Sequence, residues 1–301
     1  MSRILQVAEY SKEIHLMEPY IQYDDYENKD EMIKEVKEMF KLLKKEQFYN
    51  YSPSNKRYDD TDTIMMYLKP FLNIRNPEAL SNRLYYLIDH FLSHVRIKKG
   101  YINTEKLPNI RQQFPNTKIK NANIIKLWRG DITVLKIDAI VNAANSQLLG
   151  CFQPSHICID NIIHTYSGPH LRDDCSIIME IQKQDEPTGN AKITRAYNLP
   201  SKFVIHTVGP IYDSYNHEES ESLLKNCYIN CLSLANEIGL HSIAFCCIST
   251  GLFGYPQSLA ARTAINTVDE WLEKNNNQFN TVVFNVFTEK DLTIYQSIIN
   301  E

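Results

Sequence analysis

Beyond residue 124 the chain alternates between short apolar runs and longer segments of helical length, and this alternation restricts the fold more than any other feature. The apolar runs are IIKLWRG (124–130), AIVNAAN (139–145), AKITRAYN (191–198), FVIHTV (203–208), SIAFCCIS (242–249) and TVVFNVF (281–287). The segments of helical length span 159–182, 218–238, 256–274 and 289–300. Almost continuously apolar strands are typical of a sheet covered on both faces. The pattern therefore predicts an α/β domain in which helices cover both sides of a sheet.

The first hundred residues have a different pattern, in which apolar side chains recur at helical spacing. Three segments show it: EMIKEVKEMFKLLKKEQF (31–48), TDTIMMYLKPFL (61–72) and PEALSNRLYYLIDHFLSHV (77–95). Pro77 stands where a helix can begin. Residues 100–123, with two prolines and scattered polar side chains, are typical of a linker. The sequence thus predicts a helical N-terminal extension over residues 1–110 and an α/β domain over residues 111–301.

Charge and hydropathy exclude two classes of partner. Residues 121–301 carry 12 basic and 19 acidic side chains, a poor match to a phosphate backbone, so we expect no binding to nucleic acid. The chain has no apolar stretch long enough to span a membrane and no secretory leader, so we expect no membrane association. These features predict a soluble, cytoplasmic protein.

Two loops follow predicted strands, where open α/β sheets bind their ligands. The first is STGLFGYP (249–256), which leads into a helix. Its small residues and glycines allow backbone N–H groups to approach an anion, and the helix N-terminus favours negative charge. No Lys-Ser/Thr pair follows, so the loop is not a nucleotide-hydrolysing P-loop. The spacing equally fits a tight turn between strand and helix.

The second loop, NAANSQLLGCFQPSHICID (142–160), holds Cys151, His156 and Cys158 in a C-x4-H-x-C spacing. Two thiolates and an imidazole suit Zn²⁺, and three protein ligands with a fourth position open are typical of catalytic zinc. Cys175, His164 or His170 are candidates for a fourth ligand of a closed site. The alternative is that these cysteines are ordinary buried residues. The chain's 7 cysteines all follow residue 150. The four that come after Cys175 are interpreted as core residues: Cys227, Cys231, Cys246 and Cys247.

Several motifs resemble the macrodomain family in order and spacing: WRGDIT (128–133), DAIVNAANSQLLG (138–150), IHTYSGP (163–169), TGNAKITRAYNLPSKFVIHTVGP (188–210) and CCISTGLFGYP (246–256). The resemblance implies a three-layer α/β/α sandwich with a mixed sheet, preceded here by a small helical domain. Many family members have glycines before a Val-Asp-Gly, where this chain has GCFQPSHICIDN (150–161). That departure is similar to a zinc-dependent microbial branch found beside sirtuin-type ADP-ribosyltransferases. One zinc ion per chain, held by Cys151, His156 and Cys158, is therefore expected.

The resemblance also implies roles for individual residues. Asp131 and Ile132 would contact adenine, and Asn145 would hold the distal ribose. Asp160 would act near the bond that is cleaved, although a helix N-cap is the alternative interpretation of this residue. The pyrophosphate and the remaining substrate contacts are assigned to Ser249, Thr250, Gly251, Gly254, Phe253, Cys158 and Ile159. Asn145 and Asp160 are the predicted catalytic residues, whereas His164 and His206 are interpreted as structural.

These expectations predict a zinc-dependent hydrolase that removes mono-ADP-ribose from protein side chains and releases ADP-ribose. Zinc would act as a positioning agent and Lewis acid, and Asp160 would assist. The expected partners are a mono-ADP-ribosylated protein and ADP-ribose, with a sirtuin-type ADP-ribosyltransferase and its carrier-protein target as further candidates. The alternatives are a macrodomain that binds ADP-ribose without cleaving it and a zinc-stabilised interaction protein.

Overall fold

The computed structural model describes residues 4–46, 58–154 and 156–301, so the predicted helix end at 47–48 lies outside the described residues. The strands are β1 (Ile102–Asn103), β2 (Ile125–Arg129), β3 (Leu135–Lys136), β4 (Ala139–Ala144), β5 (Ala191–Arg195), β6 (Phe203–Val208), β7 (Ser242–Phe245) and β8 (Thr281–Val286). The helices are α1 (Val7–Tyr10), α2 (Lys29–Lys45), α3 (Thr61–Ile74), α4 (Asn82–Lys99), α5 (Ile110–Gln113), α6 (Ile159–Ser167), α7 (Pro169–Gln182), α8 (His217–Glu237), α9 (Gln257–Lys274) and α10 (Glu289–Ile299).

Six strands form the central sheet in the order β2-β8-β7-β4-β6-β5. The first five are parallel, and β5 pairs with β6 in the antiparallel direction at the edge. Strands β4 and β8 consist almost entirely of buried residues, as expected for a sheet covered on both faces. The predicted mixed sheet is confirmed.

Helices cover both faces of this sheet, as β6 shows most directly. His206 lies near Cys175 of α7, with 3.8 Å between its Nε2 and the thiol Sγ. The next residue, Thr207, instead contacts the thiol of Cys231 in α8. Since neighbouring side chains of a strand point to opposite faces, α7 and α8 lie on opposite sides of the sheet. Helix α9 packs with α8 and α10 packs with α9, while α6 packs with α7, which confirms the three-layer sandwich.

The N-terminal helices α2, α3 and α4 form a separate apolar core, built around side chains such as Met39, Leu68 and Phe91. We call these three helices the helical module. The residues before the module pack elsewhere. Tyr10, Ile14 and Leu16 belong to the core of the sheet domain, and the Tyr10 hydroxyl accepts a hydrogen bond of 2.9 Å from the backbone N–H of Ile193. The domain boundary at residue 110 stays a prediction.

Local geometry explains where element boundaries differ from the predicted ones. Helix α4 begins at Asn82 rather than at Pro77, because the Ser81 hydroxyl caps it by accepting from the Leu84 N–H. The predicted segment 159–182 is two helices, since Gly168 has a φ of 95° and Pro169 starts a new helix. Strand β7 ends at Phe245, so Cys246 and Cys247 follow the strand. The predicted linker contains β1, which pairs with β3, and α5.

Among the described residues, no helix combines the length and the apolar character that crossing a membrane would require.

Candidate functional site

The predicted binding residues lie along one edge of the sheet. Asp131 follows β2, the loop 249–254 follows the end of β7, and Asn145 follows β4. These three strands are parallel to one another within the order β2-β8-β7-β4, so their carboxyl ends meet at the same edge. Three strand spacings of about 4.8 Å separate β2 from β4, or roughly 14 Å. The edge therefore suits an elongated ligand, with the loop 249–254 between its two ends.

Asp131 lies at the β2 end and caps the short 3-10 helix Ile132–Val134. Its Oδ1 accepts from the Thr133 N–H at 2.9 Å, and its Oδ2 lies 2.7 Å from Nζ of Lys99 in α4. Burial acts to raise the pKa of Asp131, but hydrogen bonds from Lys99 and Thr133 outweigh burial and hold that pKa below its ordinary value. Asp131 is therefore an anionic acceptor at the β2 end, while Ile132 is buried beside it.

The loop 249–254 has backbone geometry suited to an anion. Ser249 is buried with a φ of 65°, and the Phe253 carbonyl accepts from the Tyr212 N–H at 2.9 Å. A Cβ built on Gly251 or on Gly254 meets no atom within 4 Å, so space beside the loop is open. Across the described part of the chain, no group accepts from the N–H of Gly251 or of Phe253. Helix α9 begins directly afterwards and adds the favourable end of its dipole.

Asn145 shapes the start of the second loop. Its Nδ2 donates to the Gly150 carbonyl at 2.9 Å, and its Oδ1 accepts from the Gln147 N–H at 3.0 Å. Both bonds close the turn that brings Gly150 back toward the end of β4. The role of the Asn145 side chain in holding the distal ribose stays a prediction. The substrate contacts expected of Ser249, Thr250 and Ile159 stay predictions as well.

The structure brings the three predicted metal ligands together. One ligand atom each from Cys151, His156 and Cys158 lies within 4.8 Å of the others, and the Cys151 Sγ lies 3.2 Å from the His156 Nδ1. Asn161 supports this arrangement because its Nδ2 donates to the His156 carbonyl at 2.9 Å and to the Gln153 carbonyl at 2.7 Å. None of the three ligands is buried, so they remain accessible to a metal and a substrate.

The donor set of this group fits zinc, since two thiols and an imidazole are the ligands that zinc prefers. Partial burial raises the pKa of Cys158 to about 12, and neighbouring Asp160 and Cys151 add to the effect. A bound divalent ion would reverse that preference and stabilise the thiolate. The suggested fourth ligands lie elsewhere: His164 and Cys175 form a separate buried group with His206, and His170 pairs with Asp89 at 3.0 Å. Cys151, His156 and Cys158 thus form a three-ligand group.

Asp160 is buried in the first turn of α6, next to these ligands. Its Oδ1 accepts from the Asn142 Nδ2 at 2.8 Å and lies 3.4 Å from the His164 Nε2. Burial raises the pKa of Asp160 to about 6, against the opposing effects of Asn142 and Arg172. The interpretation of Asp160 as the helix N-cap is wrong, because the Cys158 thiol caps α6 by accepting from the Asn161 N–H at 3.4 Å. Asp160 is therefore oriented by Asn142 of β4 and does not cap the helix.

Burial also lowers the pKa of His164 and His206, so both imidazoles are neutral. The Nδ1 of His206 accepts a hydrogen bond of 3.2 Å from the Asn142 Nδ2, and its Nε2 lies 3.0 Å from the Thr194 hydroxyl. These contacts fit the structural role predicted for His206.

Three residues near the site were not predicted from the sequence: Lys99, Asn142 and Arg172. Asn142 stands within the NAAN run, and its alternation with Val141 places it on the face that meets α6. Lys99 and Arg172 carry no local signal, because their partners come from distant parts of the chain.

The chain is similar to known proteins in sequence and in structure. The model of the Macro domain family matches residues 141–264. The protein-ADP-ribose hydrolase of Treponema medium is 46% identical over 242 residues, which cover 80% of this chain and 90% of that protein. The chain belongs to the macro domain family. A solved structure of an Oceanobacillus iheyensis macrodomain mutant with ADPR is similar to this macrodomain at a TM-score of 0.54 and 38% identity, covering 60% of this chain and 94% of that one.

A second solved structure extends the similarity toward the N-terminus. The Trypanosoma brucei macrodomain in complex with ADP has a TM-score of 0.56 and 26% identity, and the match covers 88% of this chain and 96% of that one. The helices that precede the sheet of this macrodomain therefore lie partly within the region of similarity.

Proposed function

We propose that this macrodomain is a zinc-dependent hydrolase that removes ADP-ribose from modified protein side chains. One observation carries the proposal: a buried carboxylate, Asp160, adjoins a three-ligand group of Cys151, His156 and Cys158 at one end of an elongated binding edge. The relative from Treponema medium, which is named a protein-ADP-ribose hydrolase, supports the same activity.

The binding edge suits ADP-ribose in one orientation. The Asp131 carboxylate accepts from the adenine amino group, and the glycines of loop 249–254 give the pyrophosphate access to backbone N–H groups. Phe253 packs on the distal ribose, which then lies near Asn145 and the ligand group, close to the end of β4. The order of these parts along the sheet is the order of the parts of ADP-ribose. The macrodomain structures with ADPR and with ADP support a ligand of this class.

The reaction breaks the bond between the anomeric carbon of the distal ribose and the side chain of the modified protein. Positive charge develops on the ribose, and the leaving group takes the electron pair. Asp160 stabilises that charge or orients and deprotonates the attacking water, while Asn142 fixes the direction of its carboxylate. Asn145 orients the ribose. Cys151, His156 and Cys158 would hold zinc, which would supply Lewis acidity toward an oxygen of the substrate.

A macrodomain that only binds ADP-ribose is the alternative. The three-ligand group favours the enzyme, because a binding module has no use for a metal site that leaves one position open. A mono-ADP-ribosylated carrier protein and a sirtuin-type ADP-ribosyltransferase stay the expected partners. The cytoplasm stays the expected location.

Incubation with a mono-ADP-ribosylated protein separates the two functions. An enzyme releases free ADP-ribose in amounts that exceed the amount of macrodomain present. A binding module captures the modified protein and releases no ADP-ribose, and that result would exclude hydrolysis of the substrate tested.

The Asp131→Ala variant tests the adenine end of the site. We expect the free energy of ADP-ribose binding to become less favourable by about 1–3 kcal/mol, since the adenine amino group loses a charged acceptor. Isothermal titration calorimetry measures the effect, with Asp62→Ala as a control that removes an exposed carboxylate from α3. An unchanged dissociation constant for Asp131→Ala would place adenine elsewhere.

A further inference from the structure

Arg172 of α7 is among the largest fully buried side chains in the described part of the chain, with 1% of its surface exposed. Its guanidinium reaches across to the helical module. Nη1 donates to the Arg75 carbonyl at 2.6 Å, and Nη2 donates to the Asn73 carbonyl at 3.0 Å. Burying a guanidinium is costly unless its N–H groups find acceptors, so these two bonds are central to its position.

The acceptors of Arg172 are the carbonyls at the C-terminus of α3. The last carbonyls of a helix have no partner within the helix and carry the negative end of its dipole, which favours a cation. Arg75 returns the contact, since its own guanidinium donates to the Pro169 carbonyl at 3.1 Å and to the Asp173 carboxylate at 2.8 Å. The two arginines thus interlock the helical module with the start of α7.

The Arg172 guanidinium also contacts the residues that flank Cys151. We use the term ligand loop for residues 150–154 and 156–158. The guanidinium carbon lies 4.7 Å from the centre of the Phe152 ring. A Cβ built on Gly150 would lie 2.9 Å from the Arg172 Nη2, so the backbone of Gly150 packs directly on the guanidinium. Arg172 therefore supports the residues on both sides of Cys151.

Arg172 also contributes charge near the catalytic carboxylate. Its positive charge acts favourably on the carboxylate of Asp160, which is itself buried. The same guanidinium thus touches the ligand loop, interacts with Asp160 through its charge, and is held by two backbone carbonyls of the module.

We propose that Arg172 is a positioning residue through which the helical module holds the ligand loop in its active arrangement. The module is then part of the catalytic unit rather than an appended domain. The proposal rests on the proposed function for its consequence in activity, but the contacts that carry it are independent of that function.

Two variants of the full chain and one control test the proposal. Arg172→Met removes both bonds to α3 and the planar face against Phe152. Arg172→Lys keeps the charge but lacks the flat fork of donors. The control, Tyr85→Phe, removes the hydrogen bond of 2.8 Å between the Tyr85 hydroxyl and Asp173, which joins α7 to α4 of the same helical module without touching the ligand loop.

Three quantities are measured for each variant: the zinc affinity by chelator competition, the rate of alkylation of Cys151 and Cys158 in metal-free protein, and the kcat and KM on a mono-ADP-ribosylated protein. For Arg172→Met we expect zinc affinity or kcat to fall about 10–100-fold, the usual effect of losing a group that orients metal ligands. KM should change much less, and alkylation of both thiols should accelerate. Arg172→Lys should show the same changes in smaller measure, and Tyr85→Phe should show none.

The proposal would be overturned if Arg172→Met kept the zinc affinity, alkylation rates and kcat of the wild-type protein. It would also be overturned if Tyr85→Phe changed these quantities as much as Arg172→Met does. If Arg172→Met does not fold, Arg172→Lys decides in the same way, because wild-type values for it would overturn the role of the guanidinium fork. If the wild-type protein binds no zinc or releases no ADP-ribose, the proposed function fails, while the alkylation rates still test the support of the loop.

Discussion

The Asp160→Asn variant is expected to bind ADP-ribose with near-native affinity and to lose roughly 10²–10⁴-fold in the rate of hydrolysis, the range for removing a positioned acid–base group. Asparagine keeps the shape of the side chain and an oxygen that can accept from the Asn142 amide, which donates to Asp160 at 2.8 Å. Since Cys158 caps α6, the substitution leaves the helix cap intact. The loss should therefore lie in the chemical step.

Single-turnover rates on a mono-ADP-ribosylated protein, together with calorimetry of ADP-ribose, measure the two quantities separately. Asp160→Ala serves as a second variant, equally inactive but less well packed, because it leaves a buried Asn142 donor without its acceptor. A wild-type single-turnover rate in Asp160→Asn would remove Asp160 from the mechanism.

The second large effect concerns the metal. The purified protein should contain about one zinc ion, and Cys151→Ala or His156→Ala should reduce turnover below detection, since two remaining ligands hold zinc weakly. The fold should persist in both variants, because neither residue is buried and the core of the sheet lies elsewhere. Cys158 is a poorer choice for this test, since its thiol also caps α6.

Metal analysis, far-ultraviolet circular dichroism and turnover are to be measured on the same preparations. Cys247→Ser is the matched control, because Cys247 is a cysteine outside the ligand loop and, like Cys151, is neither fully buried nor fully exposed. Full activity in Cys151→Ala, or a wild-type protein that is active without zinc, would contradict the prediction.

Much of the sheet could be predicted because its strands are apolar on both faces, so β4, β6 and β8 stand out as runs. The boundaries that differ depend on single residues. The Ser81 side chain accepts a hydrogen bond from the Leu84 N–H, whereas proline at position 77 has no side-chain acceptor. The positive φ of Gly168 divides one apolar segment into two helices. Such effects act through backbone geometry, which hydrophobic periodicity does not report.

The candidate site was predictable where its residues are close in sequence. The ligands Cys151, His156 and Cys158 share one loop, so their spacing alone suggested a metal. The supports of that loop are different in kind. Arg172 is held by carbonyls of Asn73 and Arg75, about a hundred residues earlier in the chain, and Lys99 reaches Asp131 from α4. Contacts of this type depend on the packing of the helical module and leave no local pattern in the sequence.

The release of ADP-ribose from a mono-ADP-ribosylated protein, measured with and without a zinc chelator, tests the central claim most directly. The account predicts multiple turnovers by the zinc-loaded protein, loss of release in the chelator, and recovery when zinc but not magnesium is restored, because thiolate and imidazole ligands favour zinc. Undiminished release by protein that metal analysis shows to be free of zinc would contradict the account.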